Sequence, residues 1–271
     1  MMIDLLRSGE AQVVYHDGAG LDRVLAPRPF LTASSPSGVA VTEVSPDDHP
    51  HHLGLSLALP DVNGVSFWGG NTFVRGHGPA LLDNHGVQRV DEREISEGRI
   101  AERLSWLDPK GAVLLDEERV ITARAADEGW ELVWTTRLTA VAGSVGFGSP
   151  QTNGRVGAFY GGLFWRTPFA DARVRTADGE GIAAAHGSDS PWLAVDTPAA
   201  SLVAASTTRM PWFVRHRGYV GFAPAVAVTG RRTLAAGESL HLDLAVAVRD
   251  RPAPHPAEIA DGLLAGVGDA V

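Results

Sequence analysis

The chain of 271 residues contains no cysteine. That absence excludes disulfides, thiolate nucleophiles, iron–sulfur ligation and cysteine-ligated zinc. No stretch approaches the ~18–20 uninterrupted apolar residues of a membrane-spanning helix. The opening MMIDLLRSGEAQ, with Asp4 early and no long apolar run, makes a poor signal peptide. A soluble, cytoplasmic protein without a membrane partner is expected. Basic residues are the scarcer sign, 23 Lys plus Arg against 32 Asp plus Glu, for a net charge of −9. They form no run, so nucleic acid is not an expected partner. Three motifs are also missing: a strand–turn–helix GxGxxG, a phosphate loop ending in GK[ST], and the GxSxG elbow of a serine hydrolase.

What the chain does have is 31 Gly and 17 Pro scattered singly among apolar residues, which make up 44% of it. This suits many turns and few long helices. Short apolar or alternating runs recur between the turn signals: 10–17, 38–44, 53–60, 87–125 as three strands, and 130–141. In the second half they are 157–168, 173–178, 191–197, 201–209, 212–221, 225–230 and 239–250. Asn63-Gly64, Gly98 and Asp108-Pro-Lys-Gly111 mark tight turns. Glu and Arg at alternate positions in 87–125 imply one wet face. A helical reading of 91–104 fails because the apolar spacing gives no sustained stripe and Gly98 interrupts it. The convincing helix is PAEIADGLLAGV (256–267), with Pro256 in its first turn. A dozen or more strands without intervening helices predict an all-β fold, a large antiparallel sandwich with few short helices, in one domain over 1–271.

The densest polar cluster is Asp47-Asp48-His49-Pro50-His51-His52, between two expected strands. Three histidines in four residues are poor core material. Metal ligation, general acid–base chemistry and a structural capping role all suit these residue types. The spacing is neither HExxH nor that of a zinc deaminase, and neither a metal nor a cofactor is expected. Asn63 and Trp68 decorate a Gly-rich turn, and a tryptophan beside polar groups can stack against a sugar ring. His77 and His85 add imidazoles downstream, either of which could converge on the first cluster. Trp165-Arg166 would point to opposite faces if extended, and Trp212 lies near Arg215 and Arg217. Arginine offers a fork for carboxylates, phosphates or vicinal hydroxyls. A glycosidase would need two carboxylates at a set separation, and no apolar setting singles out such a pair.

The segment RPFLTASSPSGVAVTEVSPDDHPHHLGLSLALPDVNGVSFWGG (28–70) resembles the signature of a bacterial family labelled "methane oxygenase PmoA", otherwise a domain of unknown function. GGLFWRTP (161–168), PWFVR (211–215), Pro224 and AGESLHLDLAVAVRD (236–250) continue the resemblance over most of the chain. Leu53 and Gly69 stand where a basic and an acidic residue are common in that family. The oxygenase label conflicts with the absence of a membrane span. The family in turn resembles the galactose-mutarotase-like supersandwich, and Ala236-Gly237-Glu238 sits where that fold has its late turn. The resemblance implies a sugar or sugar derivative as small-molecule partner. The chemistry it implies is that of an epimerase, lyase or hydrolase, with His49 or His51 as acid and Asp48 or an unidentified Glu as base. His52, Asn63, Trp68, His77, Arg166, Trp212 and Arg215 would bind substrate. The alternative is a non-catalytic carbohydrate-binding protein using the same residues as a stacking and hydrogen-bonding floor. Edge strands of such a sandwich could support a homodimer.

Overall fold

The computed structural model describes residues 1–269, and they form two large sheets that face one another. The first has seven strands, in the spatial order Met2–Ser8, Ala11–His16, Phe30–Ser34, Leu55–Ala58, Gly162–Arg166, Tyr219–Pro224 and Trp212–Arg217. The second has nine, in the order Gly179–Glu180, Arg173–Thr176, Trp192–Asp196, Ser201–Ala205, Ser239–Arg249, Gly129–Ala140, Val113–Ala126, Arg99–Leu107 and Val87–Ser96. Their ladders are antiparallel. A small sheet of Arg232–Leu234, Val145–Gly148 and Asp61–Val62, a hairpin of Thr72–Val74 and Gly78–Ala80, a 3-10 turn at Arg23–Leu25 and two short helices, α1 (Ile182–Ala185) and α2 (Pro256–Asp269), make up the rest of the regular structure among the described residues. The molecule is therefore an all-β sandwich with few helices.

Side chains alternate across a strand, so each sheet offers one face to the interior. Leu55, Leu57, Leu163, Trp165, Trp212, Val214, Val220 and Phe222 of the first sheet meet Ile100, Trp106, Leu115, Ile121, Trp130, Trp134 and Leu244 of the second in one continuous core. The expected Asn63-Gly64 turn is present, with both residues in the left-handed region (φ 52° and 84°). Helix α2 lays Ala260, Leu263 and Val267 on Ala194, Val203, Ala205, Ala245 and Ala247, covering part of the outer face of the nine-stranded sheet.

Four sequence expectations need correction. Residues 38–44 make only isolated bridges at Ala40 and Val44. Their backbone groups bond irregularly, Val41 N–H to the Ala33 carbonyl and Glu43 N–H to that of Arg166. Residues 225–230 are not a strand either; Ala225, Val226 and Ala227 are apolar because the loop is buried. Segment 212–221 is two strands folded at Gly218 (φ 79°), with Phe213 opposite Ala223. Finally, the charges of 87–125 do not all lie on a wet face. Glu102, Glu117 and Arg119 point inward and are buried. There Glu117 accepts hydrogen bonds from Trp106 Nε1 (2.7 Å), Thr136 Oγ1 (2.7 Å) and Arg119 Nη2 (2.9 Å). Glu102 accepts from Tyr15 Oη and Arg93 Nε, both at 2.6 Å.

The outer face of the seven-stranded sheet is not bare. Ala58, Phe164, Phe213 and Ala223 form a second apolar cluster there, roofed by Trp68, Phe159 and Tyr160 and flanked by Tyr219. The histidine-rich loop lies on this face.

Candidate functional site

The loop begins and ends at the Val44–Leu53 bridge. Between these residues the chain is a knot of turns: Ser45 N–H donates to His52 O (2.8 Å), His49 N–H to Pro46 O (2.9 Å) and His52 N–H to His49 O (2.9 Å). Pro46 and Pro50 fix two φ angles and supply no donor, which favours turns over a ladder here. On either side the loop is stitched to the Gly162–Arg166 strand, by Glu43 N–H to Arg166 O (3.0 Å) and Arg166 N–H to Gly54 O (2.9 Å).

The three imidazoles therefore come together, but they stack on one another and do not converge on a point. His49 lies parallel to His52 at 4.5 Å between ring centroids, and His51 meets His52 edge-on at 4.8 Å. Among the described residues no group of three or more His, Asp or Glu side chains is placed to hold a metal ion. His52 is buried against Trp68 (5.5 Å), Phe164 (5.1 Å) and Tyr219 (5.6 Å), and its Nδ1 has no hydrogen-bond partner. Burial, and next the neighbouring His51 and His49, hold its pKa far below the ordinary histidine value. His51 is depressed to about 3, first by burial and then by the charges of Arg28, His49 and His85. Both rings are neutral in any ordinary buffer. His49 is at the mouth: its side chain is 35% exposed, and Nδ1 lies 2.8 Å from Oδ2 of Asp48, itself 56% exposed. The hydrogen bond from His49, with a further contribution from Arg166, holds the Asp48 carboxyl below its usual range.

Arg166 runs beneath this mouth, buried, with its guanidinium carbon 4.2 Å from the centroid of the Tyr219 ring. Nε and Nη2 both bond Glu43 Oε2 at 2.8 Å, Nη2 is 3.6 Å from Asp48 Oδ1, and Nη1 has no partner. Burial raises the Tyr219 phenol, opposed by Arg215 and Arg166. Arg215 is exposed on the same face. Below the loop, Arg28 is fully buried and donates only to neutral oxygens: Ser56 Oγ (3.1 Å) and the carbonyls of Leu25 (2.8 Å), Ala26 (3.0 Å) and His51 (2.9 Å). Burial lowers its pKa to about 9. Gly69 and Gly70, both at positive φ, let the backbone pass directly over His51; a Cβ on Gly70 would sit 2.6 Å from His51 Nδ1.

His49, His51, His52, Asp48, Trp68 and Arg166 are thus gathered in one place, with Arg215 on its rim. His85 joins them, buried and bonded through Nε2 to the Gly70 carbonyl at 2.7 Å. Three expected substrate-binding residues stand apart. Asn63 spends its amide in the turn, donating to Ser144 O (3.0 Å) and accepting from Gly146 N–H (2.8 Å). His77 is exposed between Thr72–Val74 and Gly78–Ala80. Trp212 faces the core, with Nε1 donating to Ser190 O (2.8 Å), so its ring offers no floor to a ligand. Trp68 is present but buried, packed on Tyr160 at 4.6 Å, and is a wall of the cluster, not an open stacking surface. Arg28, Glu43 and Tyr219 escaped sequence reasoning. Only Arg28, a charge inside an apolar RPF run, carried a signal.

A concavity of about 700 Å³ lies elsewhere, on the outer face of the nine-stranded sheet. Its floor is a row of cross-strand ion pairs in which Arg103 reaches Glu92 (3.6 Å) and Glu118 (3.7 Å), and Arg137 pairs with Glu118. These charges already satisfy one another in solvent. Unpartnered atoms alone do not separate the two places, since Glu102 and Arg119, which border the concavity, carry some as well. The histidine patch is the better candidate because it joins the unpartnered His52 Nδ1 and Arg166 Nη1 to the exposed His49–Asp48 pair.

With this geometry the comparisons become informative. The solved structure of a putative aldose 1-epimerase from Escherichia coli K12 aligns with a TM-score of 0.50 at 10% identity, over 92% of this chain and 99% of that one. A galactose mutarotase-like protein from Lactobacillus casei ATCC 334 gives a TM-score of 0.50 at 10% identity, over 92% and 100%. At such identity these show a shared sandwich fold and not the chemistry. The chain belongs to a family of unknown function, DUF6807, matched over residues 2–263. No curated protein matches its sequence. Neither the family description nor these structures carry the methane-oxygenase label.

Proposed function

We propose that this protein acts on a carbohydrate or carbohydrate derivative, with His49 as general base and Asp48 as the group that positions it. The observation that carries this reading is the 2.8 Å contact between His49 Nδ1 and Asp48 Oδ2 at the exposed mouth of an otherwise buried cluster. With Nδ1–H donated to Asp48, Nε2 presents its lone pair outward, ready to accept a proton from a substrate hydroxyl or C–H. Asp48, kept ionised beside Arg166, stabilises the imidazolium that results. The Tyr219 phenol lies next to His49 (5.2 Å between centroids) and stays protonated because burial raises its pKa. It can donate to a second oxygen of the same substrate. His51, neutral at pH 7, serves as a hydrogen-bond partner, not as a proton source. This division differs from the expectation that His49 or His51 would be the acid and Asp48 or an unidentified Glu the base. The carbohydrate part of the reading is supported by the fold shared with a putative aldose 1-epimerase.

The test is anomer exchange and product formation by ¹H NMR over a panel of aldoses and sugar acids, comparing wild type with His49→Ala. A loss of roughly 10²–10⁴-fold in kcat/KM is expected, the usual worth of a positioned acid–base group. Asp48→Asn should lower the rate in the same direction by less. Wild-type turnover in His49→Ala would remove the catalytic role. One feature favours a second reading, a carbohydrate-binding protein without turnover: His49 and Asp48 form an open rim and not the base of a closed cavity. Saturable binding with no conversion of any bound sugar would select that reading.

A further inference from the structure

The whole chain carries a net charge of −9, yet the buried part of its candidate site has the opposite character. Three guanidinium groups, Arg28, Arg166 and Arg215, share the site with Glu43 and Asp48, and Asp47 lies exposed on the same loop. Arg28 is fully buried and all its hydrogen bonds go to neutral oxygens, so no carboxylate offsets its charge. A buried charge is normally paired, because removing an ion from water costs several kcal/mol. Arg166 is buried with one donor, Nη1, unused. Asp48 approaches it only at 3.6 Å, beyond hydrogen-bond distance, and is itself largely in solvent. Arg119 in the sandwich core also has unpartnered donors. At Arg166 the empty donor instead lies beside the exposed His49–Asp48 loop, where a ligand oxygen can complete the set. His51 and His52, which could neutralise nothing as cations, instead remain uncharged beside these groups. The buried part of the site thus holds an excess of positive charge and, on Arg166, one donor without a partner among the described residues.

We propose that the protein recognises its carbohydrate through an acidic substituent, a carboxylate or a phosphate, that seats on Arg166 in the field of Arg28 and Arg215. This rests on the carbohydrate reading of the same site and narrows it to sugar acids or sugar phosphates. A ligand oxygen on Nη1 completes the guanidinium, and the sugar ring then extends over the His49–Tyr219 mouth. The charge imbalance also repels cationic sugars such as amino sugars.

The experiment is calorimetric titration of the full chain with D-glucuronate, D-glucose 6-phosphate, D-glucose and inorganic phosphate, at low and at ~0.5 M salt. Either acidic sugar should bind at least ~10-fold more tightly than glucose, with affinity falling as salt rises. Which acidic sugar binds better separates carboxylate from phosphate. Arg166→Gln should erase the preference, and Arg215→Ala, an exposed change that leaves the core untouched, should weaken it severalfold. His77→Ala, remote from the site, should match wild type. If Arg166→Gln does not fold, the salt dependence and Arg215→Ala decide the matter. Equal or tighter binding of glucose, unchanged by salt, overturns this inference and leaves the carbohydrate reading standing. Binding of inorganic phosphate with no gain from a sugar moiety supports the anion site and overturns the carbohydrate reading. Binding of none of the four overturns both.

Discussion

At the scale of single residues, the candidate site depends on two glycines as much as on its histidines. Gly70 sits at φ 66° with the His51 ring where a Cβ would be. Gly70→Ala must both adopt a left-handed backbone and push His51 off its seat, at a cost of about 1–3 kcal/mol. The measurement is denaturant unfolding, with the His51 ring resonances displaced in the NMR spectrum; unchanged His51 shifts would count against the contact. Which residues belong to the site was only partly legible. Strand parity separates Trp165 from Arg166, and the structure puts the first in the core and the second under the mouth. The same parity separates Trp212 from Arg215, three positions apart, so the two could never have shared a binding face. Tyr219 and Glu43 were out of reach, since nothing local says that residues 176 positions apart flank one guanidinium.

At the scale of elements, the strands at 99–107 and 113–126 carry charge on both faces, and adjacent residues there have opposite fates. Glu117 is buried with three hydrogen bonds, while Glu118 beside it is about half exposed and paired with Arg137. Glu117→Ala removes the closest carboxylate from the buried Arg119, leaving Glu102 Oε2 at 3.7 Å and Gln88 Oε1 at 3.2 Å, for an expected loss of about 3 kcal/mol. Glu118→Ala should cost less than about 1 kcal/mol. Urea unfolding of the two variants checks the contrast, and equal costs would refute it. The strand pattern itself was largely readable from period-two alternation bounded by Gly, Asp and Pro. It failed where another cause imitates the signal. Residues 225–230 are apolar through burial of a loop, and 38–44 alternate while their hydrogen bonds go to Ala33 and Arg166 instead of a ladder.

At the scale of the whole molecule, the buried imidazoles set an acid limit on stability. His51 titrates at about 3 in the folded chain against 6.5 when exposed, and His52 is depressed as well. Between these values the unfolded chain binds more protons than the folded one, so stability is fully present above pH ~6.5 and falls as the pH drops toward 3. Chemical denaturation at pH 7 and pH 5 should show the fall, and His51→Gln should reduce it by on the order of 1–2 kcal/mol. An identical slope in that variant would mean that His51 is not buried as neutral imidazole. Below pH ~4 the paired carboxylates, among them Asp61 on Arg231, add their own loss in the same direction. The all-β class was legible because turn residues punctuate the chain from end to end. The pairing order was not, because one of the two neighbours of the Leu55–Ala58 strand is Gly162–Arg166, more than a hundred residues later.

The packing of Trp68 edge-on against His52 has one more consequence, an optical one. The other buried tryptophans, Trp106, Trp130, Trp134, Trp165 and Trp212, face the sandwich interior. An indole touching an imidazole changes its emission when that ring gains charge or moves. Trp68 is therefore a native fluorophore at the site, through which occupancy of the loop can be followed without adding a label.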